Sequence, residues 1–276
     1  MWRPDGWGWR ARIGLLVPHA DIGPECELQA MAPDGVSVHA TRVPFGGMGK
    51  GGTMDPAIGA NPLRTYLEPP LLDDAAELVA CAPVHAIAVC FTNTSFLGTV
   101  EDDRTLVARL EQRTGGIPVT NTCLSALAAL RAFGVRRLAF LNPPWVAPDL
   151  THGGATYFGG AGLEVVLAES AGLPTSPRDV HPGTLYEWVR AHVPESADAV
   201  FIGGNGFRAV GAIEALEADL GRLVLTANQT ILWHALRLAG TNAPVVGYGR
   251  LFDAPLLRSE GRLPTVEAPQ AGYPGR

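Results

Sequence analysis

The segment VFIGGNGFR, residues 200–208, is typical of a buried strand that ends in a glycine-rich turn. Glycines there let backbone amides approach a ligand, and Gly204, Asn205 and Gly206 offer almost no reactive side chain. The chemistry indicated is stabilisation of an anionic oxygen by N–H groups. A tight turn that requires small residues would give the same sequence. A phosphate loop is not indicated, because the chain lacks a Walker A motif and GGNG lacks dinucleotide-fingerprint spacing.

Hydroxyl and amide side chains follow two other predicted strands. FTNTS, residues 91–95, follows one strand, and TNT, residues 120–122, ends the next. Neutral donors of this kind suit a carboxylate or an oxyanion, although polar turns and helix caps have similar compositions. Asn228 opens a later helical pattern, either as its cap or as a donor in the same cleft. The predicted substrate-binding residues are Pro18, Thr92, Asn93, Thr94, Ser95, Asn121, Thr122, Trp145, Gly204, Asn205, Gly206 and Asn228.

Three residues are candidates for proton transfer. Cys123 follows Thr122, a residue typical of N-caps, and so falls in the first turn of a helix, where the dipole lowers the pKa of a thiol. A small buried side chain is the alternative. His19 and Asp21 follow the first predicted strand. An imidazole oriented by a carboxylate acts as acid or base near neutral pH, unless the histidine is simply solvated.

Short apolar runs alternate with helical patterns, which predicts an α/β fold with parallel sheets flanked by helices. The predicted strands are residues 12–18, 35–43, 84–91, 117–121, 136–142, 163–169, 198–203 and 222–228. Residues 44–70 are rich in glycine and proline. They are predicted to form a long loop, and long loops in compact domains are often lids; the role of this one stays open.

An internal repeat predicts two pseudo-symmetric lobes. Residues 108–134 align without a gap on residues 214–240, with identical Leu-Glu, Gly, Thr and Ala-Leu-Arg-x-x-Gly positions. Each copy follows a strand that ends in a polar loop, so one interlobe cleft receives both loops and forms the active site. The predicted boundaries are 10–118 with 227–265 for the first lobe and 119–226 for the second. Residues 1–9 and 266–276 are predicted tails.

Composition excludes several classes of partner. The chain of 276 residues has a net charge of −6, which argues against nucleic acid. No apolar run is long enough for a membrane span, and the start of the chain lacks a signal core, so a cytoplasmic protein is expected. The four cysteines show neither CxxC nor zinc spacing, so reduced thiols and no metal are expected. Cys26 and Cys81 are predicted to be core residues on helix faces. Homo-oligomerisation stays open.

As a set, these motifs resemble the aspartate/glutamate racemase superfamily, in its maleate cis-trans isomerase and arylmalonate decarboxylase branch. The resemblance covers roughly residues 12–240. It rests on IGLLVP, PDGVSVHATRV, GIPVTNT, GVRRLAFLNPPW, ADAVFIGGNGFRAVGAIEALEADLG and LTANQTILWHALRLAG. It implies two α/β lobes with the site between them and chemistry that needs no cofactor.

The resemblance also implies where reactive residues belong. Isomerases and racemases of the branch place one cysteine in each loop, and the decarboxylases keep only the second. Here the second position falls on Gly204 and the first on Phe91. Cys90 is one residue early, which points its side chain to the opposite face of the strand. Asp21 stands where the family has asparagine, and Trp145 where a tyrosine is expected.

The sequence therefore predicts an enzyme that binds a small carboxylic acid through neutral hydroxyls and amides. The reaction expected is an isomerisation, racemisation or decarboxylation through an enolate-like or adduct state. A lyase or cyclase acting on a larger specialised metabolite is one alternative. A non-catalytic carboxylate-binding protein of the same fold is the other.

Overall fold

Two four-stranded parallel sheets form the centre of the computed structural model, which describes residues 5–254. The strand orders are β2-β1-β3-β4 and β6-β5-β7-β8, so the two sheets have the same topology. The strands are β1 Ala11–Pro18, β2 Val36–Val43, β3 Ala86–Val89, β4 Val119–Asn121, β5 Arg137–Asn142, β6 Glu164–Ser170, β7 Ala199–Ile202 and β8 Leu223–Thr226. All eight predicted strands are present, and the predicted α/β class is confirmed.

Helices lie against both sheets. They are α1 Gly23–Met31, α2 Ala60–Leu67, α3 Leu71–Ala80, α4 Val100–Arg113, α5 Thr122–Ala132, α6 Pro148–Gly160, α7 Pro182–His192, α8 Ile213–Leu220 and α9 Ala227–Leu238. Three 3₁₀ segments, Thr92–Leu97, Val210–Ala212 and Arg250–Asp253, complete the regular structure of the described residues. Among residues 5–254, no helix has the length and hydrophobicity that a bilayer crossing requires.

The sequence repeat corresponds to two units of the same construction. One unit is α4–β4–α5 and the other is α8–β8–α9, and each places its strand at the edge of its sheet. The repeated glutamate has the same task in both, because its Oε1 accepts a hydrogen bond from the strand that follows. Val119 N–H donates to Glu111 at 3.0 Å, and Val224 N–H donates to Glu217 at 3.2 Å. Helices α5 and α9 pack against each other and join the halves.

The hydrogen bonding of β4 corrects one predicted boundary. Ile87 pairs with Val119 and Val89 pairs with Asn121, so β4 belongs to the first sheet, although the boundary at residue 119 assigns it to the second lobe. Helix α9 packs on α1 and on β1 and β3. Residues 1–4 of the predicted N-terminal tail, residues 255–265 of the first lobe and the tail 266–276 lie outside the described residues.

The predicted loop 44–70 is shorter than expected. Its last third contains α2, which buries Leu63 and Tyr66, so the irregular part is residues 44–59. This segment reaches the second half of the molecule. Ile58 forms a bridge with Val146, with Ile58 N–H donating to the carbonyl of Trp145 at 3.0 Å and Ala147 N–H donating to the carbonyl of Ile58 at 3.3 Å. We call residues 44–59 the cover.

Candidate active site

A narrow cavity lies where the carboxyl ends of β1, β3, β5 and β7 meet the cover. Its polar side consists of Asp21, Thr92, Asn93, Gly204, Asn205 and Gly206. Its apolar side consists of Pro18 and of Phe45, Met48, Met54, Ile58, Phe91 and Trp145. The cavity has room for about one water molecule. A larger ligand therefore requires the cover or the flexible methionines to move.

Asp21 is the titratable side chain among the residues that line this cavity. It is 8% exposed, and the N–H of Gly23 donates to its Oδ1 at 2.8 Å. Burial raises the pKa of Asp21 to about 6, while the hydrogen bond from Gly23 and the charge of Arg42 act in the opposite direction. A carboxyl with this pKa exchanges a proton near neutral pH, as a general acid or base must.

The turn that begins at Gly204 lies against Asp21. A Cβ atom on Gly206 would lie 3.0 Å from Asp21 Oδ2, so any side chain at this position would crowd the carboxylate. Within the described part of the chain, the N–H groups of Asn205 and Gly206 meet no acceptor. The next α-helix, α8, begins only at Ile213, after the turn and a 3₁₀ segment. The available donors are therefore turn amides rather than a helix N-terminus.

Thr92 and Asn93 face the turn from the first half of the molecule. Thr92 Oγ1 accepts a hydrogen bond from the N–H of Gly204 at 2.9 Å. Asn93 is buried, and its Oδ1 has no hydrogen-bond partner among the described residues. Thr94 and Ser95 do not line the cavity. The hydroxyl of Thr94 donates to the carbonyl of Phe91 at 2.7 Å, as in a polar turn, and Ser95 is buried beside it.

The side chain of Asn205 connects the two halves of the site. Its Oδ1 accepts hydrogen bonds from Thr92 and, at 3.1 Å, from the hydroxyl of Thr122. Its Nδ2 donates to Asn228 Oδ1 at 2.9 Å. Thr122 and Asn228 thus support the cavity without lining it. The helix caps also differ from the prediction, because Asn121 caps α5 and Thr226 caps α9.

The apolar side comes from the cover and from the segment after β5. The rings of Phe45 and Phe91 meet edge-on at 4.8 Å, and Trp145 meets Phe207 edge-on at 5.6 Å. Trp145 lies at the predicted site with a buried side chain. An aryl or alkyl group is the kind of substituent that this wall would accept.

The comparisons with known proteins agree with this architecture. The arylmalonate decarboxylase family model matches residues 69–252. Arylmalonate decarboxylase of Bordetella bronchiseptica is 30% identical over 182 residues, which cover 60% of this chain and 70% of that protein. The chain belongs to the arylmalonate decarboxylase family.

Solved structures extend the likeness to the fold of most of the chain. A variant of arylmalonate decarboxylase with sulfate has a TM-score of 0.71 at 25% identity, covering 88% of this chain and 99% of that one. A Nocardia farcinica maleate cis-trans isomerase variant, with a covalently bound succinylcysteine intermediate, has a TM-score of 0.74 at 20% identity, covering 88% and 98%. The resemblance to the isomerase and decarboxylase branch of the aspartate/glutamate racemase superfamily is thereby confirmed.

The resemblance places two cysteine positions in this branch, one in each loop. In this chain they hold Phe91 and Gly204. Gly204 has φ of +88°, and a Cβ atom there would lie 2.1 Å from Cγ of Pro143. The positive φ disfavours any side chain at position 204, and the Pro143 ring occupies the space that a cysteine side chain would need. Cys90 is fully buried in a core on the other side of the sheet, and its thiol donates to the carbonyl of Ala88 at 3.6 Å. This placement agrees with the expected orientation of Cys90 away from the cleft.

Cys123 does not reach the cavity. It is fully buried, and its Sγ lies 3.5 Å from the carbonyl oxygen of Thr92, to which it donates. Burial raises the pKa of the Cys123 thiol well above its ordinary value, and the charge of Asp103 adds to this. The expected lowering by the helix dipole is therefore wrong, because desolvation outweighs it. Cys26 and Cys81, predicted to be core, are exposed.

His19 lies outside the cavity and is exposed. Its Nδ1 accepts a hydrogen bond from the N–H of Phe45 at 3.1 Å, so it holds the start of the cover. Asp21 does not contact this imidazole; its carboxylate turns towards Gly23 and Gly206. The predicted orientation of an acid–base histidine by Asp21 is absent from the described structure.

Sequence reasoning missed two residues near the site. Glu27, on α1, accepts a hydrogen bond from Asn228, and burial raises its pKa to about 7. Tyr66, on α2, is fully buried, and its hydroxyl has no partner within residues 5–254. Its ring meets Phe91 edge-on at 5.1 Å. Neither lies near a recognisable motif. In the same range, no three His, Cys, Asp or Glu side chains are arranged to hold a metal ion.

Proposed function

We propose that the protein is a cofactor-independent enzyme that moves a proton at the carbon next to a carboxylate group. The substrate is a small carboxylic acid with an apolar substituent, and the reaction is a decarboxylation or an isomerisation. The observation that carries the proposal is that Asp21 faces the Asn205 and Gly206 turn in one cavity. Membership of the arylmalonate decarboxylase family supports the reaction class.

The residues suggest a division of labour. In a decarboxylation, the bond between the α-carbon and one carboxylate breaks, carbon dioxide leaves, and the electron pair moves into an enediolate. The N–H groups of Asn205 and Gly206, with the side-chain amide of Asn93, stabilise its oxygens. Asp21 in its acid form then protonates the carbon and regains a proton from water. In a racemisation, or in an isomerisation that starts at an sp³ α-carbon, the Asp21 carboxylate first removes the α-proton and forms a similar enediolate, and a proton then returns to carbon from Asp21 or from water.

The chemistry of the lining favours decarboxylation over a thiol adduct. No lysine, arginine or histidine is among the lining residues, so the site suits a reaction in which neutral carbon dioxide leaves and the negative charge spreads over an enediolate. None of the lining residues is a cysteine, whereas the Nocardia farcinica isomerase forms a succinylcysteine intermediate. The apolar wall supports an aryl or branched alkyl substituent rather than a second carboxylate at that end.

A lyase or cyclase that acts on a larger metabolite is the second candidate. The cover is rich in glycine, and its Met48 and Met54 line the cavity with side chains that adapt to different shapes. An outward movement of residues 44–59 would enlarge the site. A carboxylate-binding protein without activity is the remaining alternative, and it predicts affinity for acids without turnover.

The test is turnover of simple acids in deuterium oxide with a chelator present. Phenylmalonate, maleate and 2-phenylpropionate are incubated with the protein, and proton NMR follows carbon dioxide loss, isomerisation or α-deuterium incorporation. Asp21→Asn should lower the rate about 10²- to 10⁴-fold, while Asp34→Asn, which changes an exposed carboxylate, should not. Undiminished turnover by Asp21→Asn would contradict the role of Asp21. Strict dependence on a divalent ion would contradict the cofactor-free chemistry.

A further inference from the structure

The carboxylate of Glu27 lies outside the cavity and joins the two halves of the molecule. Glu27 belongs to α1, beside the first sheet. Its Oε1 accepts hydrogen bonds from the main-chain N–H groups of Ala209, at 2.7 Å, and Val210, at 3.1 Å, which follow β7 of the second sheet. Its Oε2 accepts from Nδ2 of Asn228 at 2.7 Å. All three partners are donors, so the ionised Glu27 carboxylate accepts a hydrogen bond from each of them.

Asn228 links Glu27 to Asn205 through hydrogen bonds. The Nδ2 group of Asn228 has two hydrogens, of which one goes to Glu27 and the other to the main-chain carbonyl of Asn205, at 2.8 Å. Asn228 Oδ1 accepts from Asn205 Nδ2 at 2.9 Å. If the amide of Asn228 flipped, its oxygen would face two acceptors. The acceptors at Glu27 and at the main-chain carbonyl of Asn205 together fix the orientation of Asn228.

The same donor and acceptor pairing determines the orientation of the Asn205 side-chain amide, which holds the turn beside the cavity. Because Asn205 Nδ2 is bound to Asn228, its Oδ1 faces the N–H and the hydroxyl of Thr92, both at 2.9 Å. The Thr92 oxygen is then free to accept from the N–H of Gly204 at 2.9 Å. A reversed Asn205 amide would set an NH₂ group against the N–H of Thr92. Every hydrogen bond from Glu27 to the cavity thus has one allowed direction.

We propose that Glu27 is a positioning residue for this site. Its carboxylate reinforces the orientation of Asn228, and through Asn205 it helps to hold Thr92 and the Gly204–Gly206 turn in the arrangement that receives the substrate. The consequence for catalysis rests on the proposed function. The chain of hydrogen bonds itself requires no substrate, so it can be tested separately.

The separate test uses Glu27→Gln, which keeps the size of the side chain. Glutamine has one oxygen and one NH₂ group, so it cannot accept from both Asn228 and the 209–210 amides. We expect the side-chain amide resonances of Asn205 and Asn228 to shift in ¹H–¹⁵N spectra, with Asn205→Asp and Asn228→Asp used for assignment. Glu187→Gln, the same substitution at an exposed carboxylate on α7, should leave them in place. Unshifted Asn205 resonances in Glu27→Gln overturn the proposal.

The test of the catalytic consequence uses phenylmalonate as the probe. Glu27→Gln should lower kcat about 10- to 100-fold with KM changed less than about threefold. In an Asn228→Ala background, the same substitution should have no further effect, because the chain is already cut. Additive losses, or lower thermal stability with unchanged kcat, overturn the positioning role. If the unmodified protein turns over none of the test acids, the proposed function fails, and the NMR result decides the role of Glu27 alone.

Discussion

The Oδ1 atom of Asn205 lies 2.9 Å from both the amide nitrogen and the hydroxyl oxygen of Thr92, although the two residues are 113 positions apart. Thr92 follows β3 of the first sheet, and Asn205 follows β7 of the second. One carbonyl oxygen therefore holds together the two polar loops that the sequence places at the ends of different strands.

Removal of this oxygen should be costly. Asn205→Ala leaves the buried N–H of Thr92 without an acceptor, and an unsatisfied buried group costs about 1–3 kcal/mol. We expect the free energy of unfolding in urea to fall by about that amount, and activity to be lost. Asn61→Ala, at an exposed position on α2, is the control. Equal unfolding midpoints for Asn205→Ala and the unmodified protein would contradict the prediction.

Stability should fall as pH rises from about 5 to about 7. The pKa of Asp21 is raised from 3.8 to about 6 and that of Glu27 from 4.5 to about 7 in the folded protein, so the folded state binds more protons than the unfolded state in this window. The favourable contribution is present at the acid end and is lost as pH passes the folded pKa values. Urea unfolding at several pH values measures it. Asp21→Asn and Glu27→Gln should each flatten the curve, and a curve that rises through this window would contradict the assignment.

A cysteine at position 204 should not create a catalytic thiol. The positive φ of Gly204 and the contact with Pro143 strain any side chain there, so Gly204→Cys and Gly204→Ala should lose similar stability, about 1–3 kcal/mol. The double variant Gly204→Cys with Pro143→Ala relieves the contact but not the backbone strain, and it should recover only part of that loss. Thermal unfolding and thiol titration measure the two effects. A stable, reactive Gly204→Cys protein would show that the turn adapts.

Thiol reactivity should separate the four cysteines into two pairs. Cys26 and Cys81 are exposed and should react rapidly with a chromogenic disulfide, whereas Cys90 and Cys123 are buried, with raised pKa values, and should react only on unfolding. Turnover of Cys123→Ala and Cys90→Ala should stay within about threefold of the unmodified protein. An inactive Cys123→Ala protein with normal stability would restore the thiol hypothesis.

Much of the fold is encoded in local patterns. Each of the eight strands is a short apolar run, and the repeat predicts that α4–β4–α5 and α8–β8–α9 are equivalent. Helix α6 was harder to recognise, because its sequence contains four glycines and shows little helical periodicity. The boundary at residue 119 failed for a different reason. Strand pairing is a non-local property, and nothing within VTN indicates which sheet it joins.

The candidate site was predictable only where strand ends determine it. Thr92, Asn93, Gly204 and Asn205 directly follow strands and line the cavity. Whether a residue after a strand end reaches the cavity or is buried behind it depends on tertiary packing. Cys123 is buried behind the cavity for this reason. A helix N-terminus alone favours a low thiol pKa, but complete burial reverses the effect. The contacts of Glu27 span sequence separations of 182, 183 and 201 residues, and no local motif reports them.

The hydrogen bonds between Ile58 and the Trp145–Ala147 segment have a kinetic consequence. Under the proposed function, a cavity with room for about one water admits an acid only after the cover or its methionines move, and a movement of the cover at Ile58 breaks and remakes these main-chain contacts. Entry and departure then compete with the chemical step for control of the rate. Selection among acids then begins with movement of the cover, before any proton is transferred.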